Sequence, residues 1–151
     1  MLIPGVGTQR TLLIAALLVA LISIPLLMRP AIAASVVIAG LLALPTGLVK
    51  ETQGTLAERE TTYQFVQVVQ EPDRIVMRFD DGIADQSVYR ADTALSGGEW
   101  DMPLVVPPLL TRTLHRVLVI GNAGGTTARA LAAEYPGIDI DAVELDPVVT
   151  Q

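Results

Sequence analysis

The hydrophobic pattern of the first fifty residues consists of two long runs without a charged residue. One run extends from Thr11 to Met28 and the other from Ala31 to Val49, and Arg29 and Pro30 separate them. Each run approaches the roughly 20 residues that cross about 30 Å of hydrocarbon as an α-helix. Because backbone groups in lipid must bond within their own segment, the pattern predicts two transmembrane helices, at about 11–28 and 31–49.

A cleaved signal peptide is the alternative interpretation, since the small residues 31–34 follow the first run. The second run comes directly after them, which favours a membrane anchor comprising residues 1–50 with the lipid bilayer as its partner. In a two-helix hairpin, Arg10 and Lys50 lie on one side and Arg29 on the other. The positive-inside rule then predicts an inner (plasma) membrane location with the remaining chain in the cytoplasm.

Beyond residue 50 the pattern changes to short apolar stretches separated by polar turns. Residues 51–62 are polar and short of large apolar side chains, so they are interpreted as a linker. Residues 63–69 and 74–79 are rich in β-branched and aromatic side chains, which predicts two strands of a β-hairpin. Asp81 and Gly82 close this hairpin.

Two further stretches complete the middle of the chain. Residues 83–103 have no regular hydrophobic period and predict a structured loop, so that a small β-domain spans residues 63–103. Residues 104–110 are apolar but contain Pro107 and Pro108, which the interior of an undisturbed helix does not accept.

The most informative stretch begins at residue 114. Residues 116–120 form a continuous apolar run, which is typical of a strand buried on both faces. The glycine turn Gly121–Gly125 follows, and after it come helix formers over 126–135, with Thr126 or Thr127 as the helix cap. Residues 138–145 predict a second strand. This strand–turn–helix–strand order predicts an α/β fold, in which residues 104–151 begin a Rossmann-like domain with its first βαβ unit.

The glycine turn indicates a nucleoside site. Glycines at 121, 124 and 125 let the backbone bend sharply and come close to a ligand. Glu144 lies at the tip of the second strand, 23 residues after Gly121, where an acid can accept the hydroxyls of a ribose. The turn departs from GxGxxG, so a site of the S-adenosylmethionine type is favoured over a pyrophosphate site. The alternative for Glu144 is a solvated acid at a strand end.

Composition narrows the chemistry. Residues 1–50 contain three basic residues and no acid, whereas residues 51–151 contain sixteen acids and seven arginines. Such an acidic segment argues against nucleic acid as a partner, because phosphate binding needs clustered Lys and Arg. The absence of cysteine and the single histidine, His115, argue against a metal site. Asp146 precedes Pro147 and is interpreted as a helix cap.

Several short motifs occur in a fixed order between residues 51 and 149. They are ETTYQ at 60–64, DG at 81–82, QSVYR at 86–90, GGEWD at 97–101, VLVIGNAGGTTARALA at 117–132 and AVELD at 142–146. With this order of elements, the chain resembles the polyamine aminopropyltransferase family (spermidine synthase and its relatives), and in particular its membrane-anchored bacterial branch. The match covers the amino-terminal part of such an enzyme.

The resemblance implies a small β-domain before a Rossmann-like domain and transfer of an aminopropyl group. The donor would be decarboxylated S-adenosylmethionine, a co-substrate and not a permanently bound cofactor, and the acceptor a small amine such as putrescine. Gln64 would contact the donor nucleoside, as would Gln86, which stands at a spacing one residue longer than in the family. Glu144 would bind the ribose. A homo-oligomer is a further expectation.

Two features set this chain apart from the family pattern. The family usually has an Asp in a GGGDGG turn that pairs with the donor's ammonium, and Gly124 or its neighbour stands there instead. A different donor or transferred group is therefore open, and an S-adenosylmethionine-dependent methyltransferase and a non-catalytic membrane protein are the alternatives. The family's catalytic acid lies in a later loop, expected beyond Gln151, so no catalytic residue is assigned. A truncated chain with one βαβ unit leaves a sheet face uncovered, and we expect it to be unstable alone or to pair with another chain.

Overall fold

A computed structural model describes residues 3–45, 52–80 and 84–150 of the chain. The chain divides into two compact units, residues 1–51 and residues 52–151, and each is considered by itself. The interpretations that involve Lys50, Asp81, Gly82 and Gln151 lie outside the described residues.

The described part of the first unit consists of α-helices. They are α1 (Ile3–Val6), α2 (Thr8–Ile22), α3 (Ile24–Leu27) and α4 (Arg29–Ala43). Helices α2 and α4 pack against each other, and the buried side chains on them are small: Ala20, Ala31 and Ser35. The Ser35 hydroxyl donates to the Ala31 carbonyl at 2.8 Å, so this buried polar group is satisfied within its own helix.

The two apolar runs form shorter helices than their length predicts. Helices α2 and α4 contain 15 residues each, or about 22 Å at the helical rise, against about 30 Å of hydrocarbon. The first run is interrupted at Ser23, and Pro25 lies in the first turn of α3, where its missing N–H costs no hydrogen bond. Across the described residues, no helix combines the length and apolar character that a membrane crossing requires. The predictions of two transmembrane helices and of a membrane location are therefore wrong.

An antiparallel sheet of four strands begins the second unit. In sheet order they are β1 (Thr55–Glu60), β2 (Phe65–Gln70), β3 (Ile75–Phe79) and β4 (Asp85–Tyr89). Strand β1 lies in the stretch interpreted as a linker, and β4 lies in the predicted loop. Both are edge strands with one neighbour, so backbone pairing can hold them without the hydrophobic alternation that marks β2 and β3.

The core of this sheet lies on one of its faces. Val69, Val76 and Val88 oppose one another across β2, β3 and β4, which places their side chains on the same face, and all three are buried. Trp100, which is half-buried, packs against them. The opposite face carries Met77 and Ser87 and faces the glycine turn, as the contacts described below show.

The remaining chain returns through helices to a second sheet. A 3-10 helix (Glu99–Val105) leads into α5 (Val106–Leu109), and then come β5 (Arg116–Ile120), α6 (Thr126–Glu134) and β6 (Asp139–Val143). Strands β5 and β6 are parallel, so the predicted strand–turn–helix–strand unit is present. A helix does form at the two prolines, but it has only four residues, so both prolines lie in its first turn.

The parallel pair leaves one apolar face without a cover in the described part of the chain. Leu118 is 59% exposed, Ile120 80% and Val143 54%. Val117 and Val119 point to the other face and are half-buried. Parallel strands are normally covered on both faces. The uncovered face is the one expected from the sequence, because a single βαβ unit covers only one side of its strands.

Candidate nucleoside-binding site

The glycine turn between β5 and α6 has a left-handed backbone at three of its five residues. Gly121 and Gly125 have φ values of 76° and 82°, which glycine adopts without steric cost. Ala123 has a φ of 44°, a conformation that costs an L-residue about 1–2 kcal/mol. The turn therefore holds one residue in a conformation that the surrounding contacts must maintain.

Every backbone N–H group of the turn donates to an acceptor within the protein. The acceptors are the Val143 carbonyl for Gly121 and Asn122, the Asn122 carbonyl for Gly125, the Glu144 carboxylate for Ala123 and the Ser87 hydroxyl for Gly124. A phosphate cradle needs several amides that point at the ligand. None of these five is free for one, so the geometry favours a nucleoside over a pyrophosphate.

Glu144 follows β6, and its side chain turns back onto the glycine turn. Its Oε2 accepts the Ala123 N–H at 2.7 Å, and its Oε1 accepts the N–H groups of Leu145 at 2.8 Å and Asp146 at 3.1 Å. A carboxylate has about four acceptor positions, of which three are used here. The half-buried carboxylate thus retains one position, on Oε2, for the hydroxyl of a ligand.

Two hydroxyl groups connect strand β4 to the turn, a role that the sequence did not predict for either of them. The Ser87 hydroxyl accepts the Gly124 N–H at 2.8 Å. The Thr126 hydroxyl accepts the Val88 N–H at 2.8 Å and donates to the Val88 carbonyl at 3.1 Å. Ser87 lies within one of the family motifs, but no local pattern shows that it contacts a turn 37 residues later.

The predicted cap of α6 is not formed. The N-cap is Gly125, which has no side chain to cap with, and the Thr126 hydroxyl is engaged by Val88 instead. The Thr127 hydroxyl donates to the Trp100 carbonyl at 3.1 Å. Both threonines therefore connect α6 to the preceding segment and do not cap the helix.

The predicted glutamines occupy different settings. Gln64 lies just before β2, is half-buried, and its carbonyl accepts the Thr61 N–H at 2.9 Å. Gln86 is an exposed residue of β4 at a β-bulge, because Met77 pairs with Ser87 while Arg78 pairs with Asp85. A bulge accommodates one extra residue and redirects its side chain.

An ion-pair cluster holds the two strands together at this bulge. The Arg78 guanidinium lies 2.8 Å from Asp85 and 2.6 Å from Glu71. Arg74 also bonds Glu71, at 2.7 Å, and this bond is the main cause that lowers the pKa of Glu71. The strand segment beside Gln86 is thus fixed by partly buried charges.

Two other motif residues have structural contacts. The Asp101 carboxylate accepts N–H groups from Ser96 at 2.9 Å and Gly97 at 2.8 Å and the Ser96 hydroxyl at 2.8 Å. Burial acts to raise the pKa of Asp101, but these hydrogen bonds outweigh it and lower the pKa. Asp146 is 1% exposed, and its Oδ1 accepts the Val148 N–H at 3.0 Å, so it acts as a cap for the turn at 147–150.

A groove lies between the four-stranded sheet and the glycine turn. A cavity of about 160 Å³ is lined by Met77, Ser87 and Gly124, among others. A second cavity, of about 350 Å³, shares Val68 and Met77 with the first but is lined by strands β1 to β3 and by Val148 and Val149, and not by the glycine turn. The larger one reaches the size range of small-molecule sites.

A parallel strand pair, a left-handed glycine turn, and a carboxylate that is bound to that turn define the class of this second unit. It is an α/β unit of the strand–turn–helix–strand type, preceded by a small antiparallel sheet. In such domains ligands bind at the carboxyl ends of the parallel strands, where the turn and Glu144 lie.

Comparison with known proteins agrees with this class and narrows it. The chain is 33% identical over 93 residues to the "Probable polyamine aminopropyl transferase" of Bifidobacterium longum, which covers 62% of this chain and 21% of that protein. It is 51% identical over 37 residues to the polyamine aminopropyltransferase of Vibrio vulnificus, which covers 24% of this chain and 12% of that protein. No family model and no solved structure matches.

The resemblance to the polyamine aminopropyltransferases, an enzyme family, is thereby confirmed over the matched part of the chain. The chain spans about a fifth or less of the length of these curated relatives.

Proposed function

We propose that this chain provides the donor-nucleoside site of an aminopropyltransferase that uses decarboxylated S-adenosylmethionine. The observation that carries the proposal is the Glu144 carboxylate, which is bound to the glycine turn through Ala123 at 2.7 Å with one acceptor position left. A ribose hydroxyl at that position would donate a charge-assisted hydrogen bond to Glu144 Oε2, and such a bond is stronger than a neutral one. The names of the relatives support an aminopropyl group as the group transferred.

The reaction is a direct displacement. The nitrogen of a small amine such as putrescine attacks the methylene beside the donor's sulfonium and forms a new C–N bond. The C–S bond breaks, its electron pair stays on sulfur, and the neutral thioether 5′-methylthioadenosine leaves. The amine nitrogen gives up one proton to a base, which we assign to no residue of this chain. Orientation of the two reactants supplies a large part of the rate.

The groove beside the turn supports a role for the small sheet in binding the donor. Strand β4 contributes Ser87 to the groove, and Gln86 precedes it at the bulge. We assign Gln86 a contact with the donor nucleoside through its amide, and Gln64 a second contact of the same kind. The amides of the turn are neutral and already bonded within the protein, so Glu144 provides the charge of this subsite. A carboxylate of this kind can accept hydrogen bonds from the hydroxyls of a ribose.

The proposal is tested by titrating the full chain with 5′-methylthioadenosine in a calorimeter. Removing the charge with Glu144→Gln should weaken binding by about 1–3 kcal/mol, the cost of a lost charged hydrogen bond. Glu134→Gln is the matched control, since Glu134 is exposed at the end of α6 and should leave the affinity unchanged. Absence of binding by the unchanged chain, or equal affinity of Glu144→Gln, would refute the nucleoside site.

A transfer assay then separates the two enzyme hypotheses. The full-length protein is incubated with putrescine and either decarboxylated S-adenosylmethionine or S-adenosylmethionine. A product heavier by an aminopropyl group supports the proposal. A methylated product from S-adenosylmethionine alone would replace it with a methyltransferase that uses the same nucleoside site.

A further inference from the structure

We propose that Ser87 and Thr126, here called the hydroxyl pair, are positioning residues that keep the glycine turn in the shape required for nucleoside binding. The proposal rests on the proposed function for its ligand, but the restraint of the turn is tested separately.

Thr126 takes the place of a neighbouring strand at the edge of the sheet. Strand β4 is the last strand in the order β1-β2-β3-β4, so the backbone groups on its outer side have no strand partner in that sheet. Val88 is 3% exposed, so without another partner its N–H and carbonyl on this outer side would both be buried and unpaired. The single Thr126 hydroxyl, in a residue 2% exposed, satisfies both groups. Buried backbone groups require such partners, which fixes α6 relative to β4.

Ser87 adds a contact one residue earlier in the strand. Its hydroxyl accepts the Gly124 N–H, and the two residues are so close that a Cβ on Gly124 would lie 3.0 Å from the Ser87 Cβ. Consecutive residues of β4 therefore bind two positions, 124 and 126, on either side of Gly125. The end of the turn is held at both of these positions.

The hydroxyl pair acts on Glu144 through Ala123. Ala123 precedes Gly124, and its N–H is the group that reaches the Glu144 carboxylate. At a φ of 44°, Ala123 would gain free energy by relaxing to a negative φ, and its N–H would then turn away from Glu144. Holding Gly124 and Thr126 in place opposes this relaxation, so the pair orients the carboxylate through the turn.

The first measurement is amide hydrogen exchange of the full chain without ligand. Thr126→Val keeps the shape but removes the hydroxyl, and Ser87→Ala removes the other one. Each should speed exchange across residues 121–125 about tenfold, whereas Thr126→Ser should stay within about twofold of the unchanged chain. Thr11→Val is the control, since its hydroxyl bonds the Gly7 carbonyl in the other unit. Unchanged exchange at 121–125 in both hydroxyl-deleting variants overturns the proposal.

The second measurement is a double-mutant cycle for binding of 5′-methylthioadenosine. Ser87→Ala alone should weaken binding about tenfold, but in a Glu144→Gln background it should have little further effect, because the carboxylate to be oriented is gone. Thr126→Ser should retain the affinity that Thr126→Val loses. Independent, multiplicative effects of Ser87→Ala and Glu144→Gln would show that Ser87 has only a structural role, against the proposal. If the unchanged chain binds no nucleoside, the proposed function fails, and the exchange experiment alone decides whether the pair restrains the turn.

Discussion

Substituting Gly124 by alanine tests the close approach of the glycine turn to strand β4. A Cβ at this position would lie 3.0 Å from the Ser87 Cβ, 3.1 Å from its Oγ and 3.5 Å from the Met77 Cε. Overpacking of this kind costs about 1–3 kcal/mol, while replacing glycine by alanine stabilises by about 0.4–1 kcal/mol through the unfolded chain. The steric cost is the larger, so Gly124→Ala should lower the local stability of this contact by about 1–2 kcal/mol.

The assay is hydrogen exchange of the full chain, resolved to peptides that cover 85–89 and 121–125. A loss of about 1–2 kcal/mol corresponds to exchange that is roughly 5–30 times faster in both segments. Gly98→Ala is the matched control, because its Cβ would make an ordinary contact of 3.4 Å with the Trp100 ring. In a Ser87→Gly background, which removes the obstructing atoms, Gly124→Ala should cost much less. An equal cost in both backgrounds would refute the steric explanation.

Two further predictions concern charge and the uncovered sheet face. Hydrogen bonds lower the folded-state pKa of Asp101 below its ordinary 3.8 and that of Glu71 below its ordinary 4.5. Their contribution to stability is therefore present above these values and lost as the pH falls through the folded pKa. The melting temperature should decrease as the pH is lowered below about 4.5, and this decrease should be smaller in Asp101→Asn. If Asp101→Asn showed the same pH profile as the unchanged chain, the role of Asp101 would be contradicted. Separately, Ile120→Ser should change the free energy of unfolding by no more than about 0.5 kcal/mol, because Ile120 is 80% exposed. A much larger loss, together with a smaller mass by size-exclusion chromatography, would show that another chain covers this face.

The glycine unit was predictable because its signals are local. The continuous apolar run at 116–120, the glycines after it and the helix formers at 126–134 each act on neighbouring residues, and the structure has strand, turn and helix there. The position of Glu144 next to the turn follows from the same unit, since parallel strands β5 and β6 end at one edge.

The edge strands were missed for the opposite reason. Thr55–Glu60 alternates weakly and has few large apolar side chains, and nothing within it predicts that it pairs with β2. Likewise, Asp85–Tyr89 becomes a strand through its pairing with β3 and through the Thr126 hydroxyl, 38 residues away. Strand formation at an edge depends on partners that are distant in sequence.

The helices of the first unit show that hydropathy alone does not predict where a helix ends. The first uncharged run breaks near Ser23 and Pro25 into helices of 15 and 4 residues, and the helix of the second run ends at Ala43 after 15 residues. Hydropathy sums residues over a window, but a helix ends where its backbone bonding is interrupted.

The sequence by itself determined the βαβ unit, its glycine turn and the resemblance to polyamine aminopropyltransferases, because these depend on residues that are adjacent in the chain or on ordered motifs. Only the tertiary structure decided that the Ser87 hydroxyl accepts the Gly124 N–H, that Thr126 pairs with β4 and does not cap α6, and that Gln86 stands at a bulge. Each of these depends on contacts between segments more than thirty residues apart or on the register of two strands, and local propensity carries no information about either.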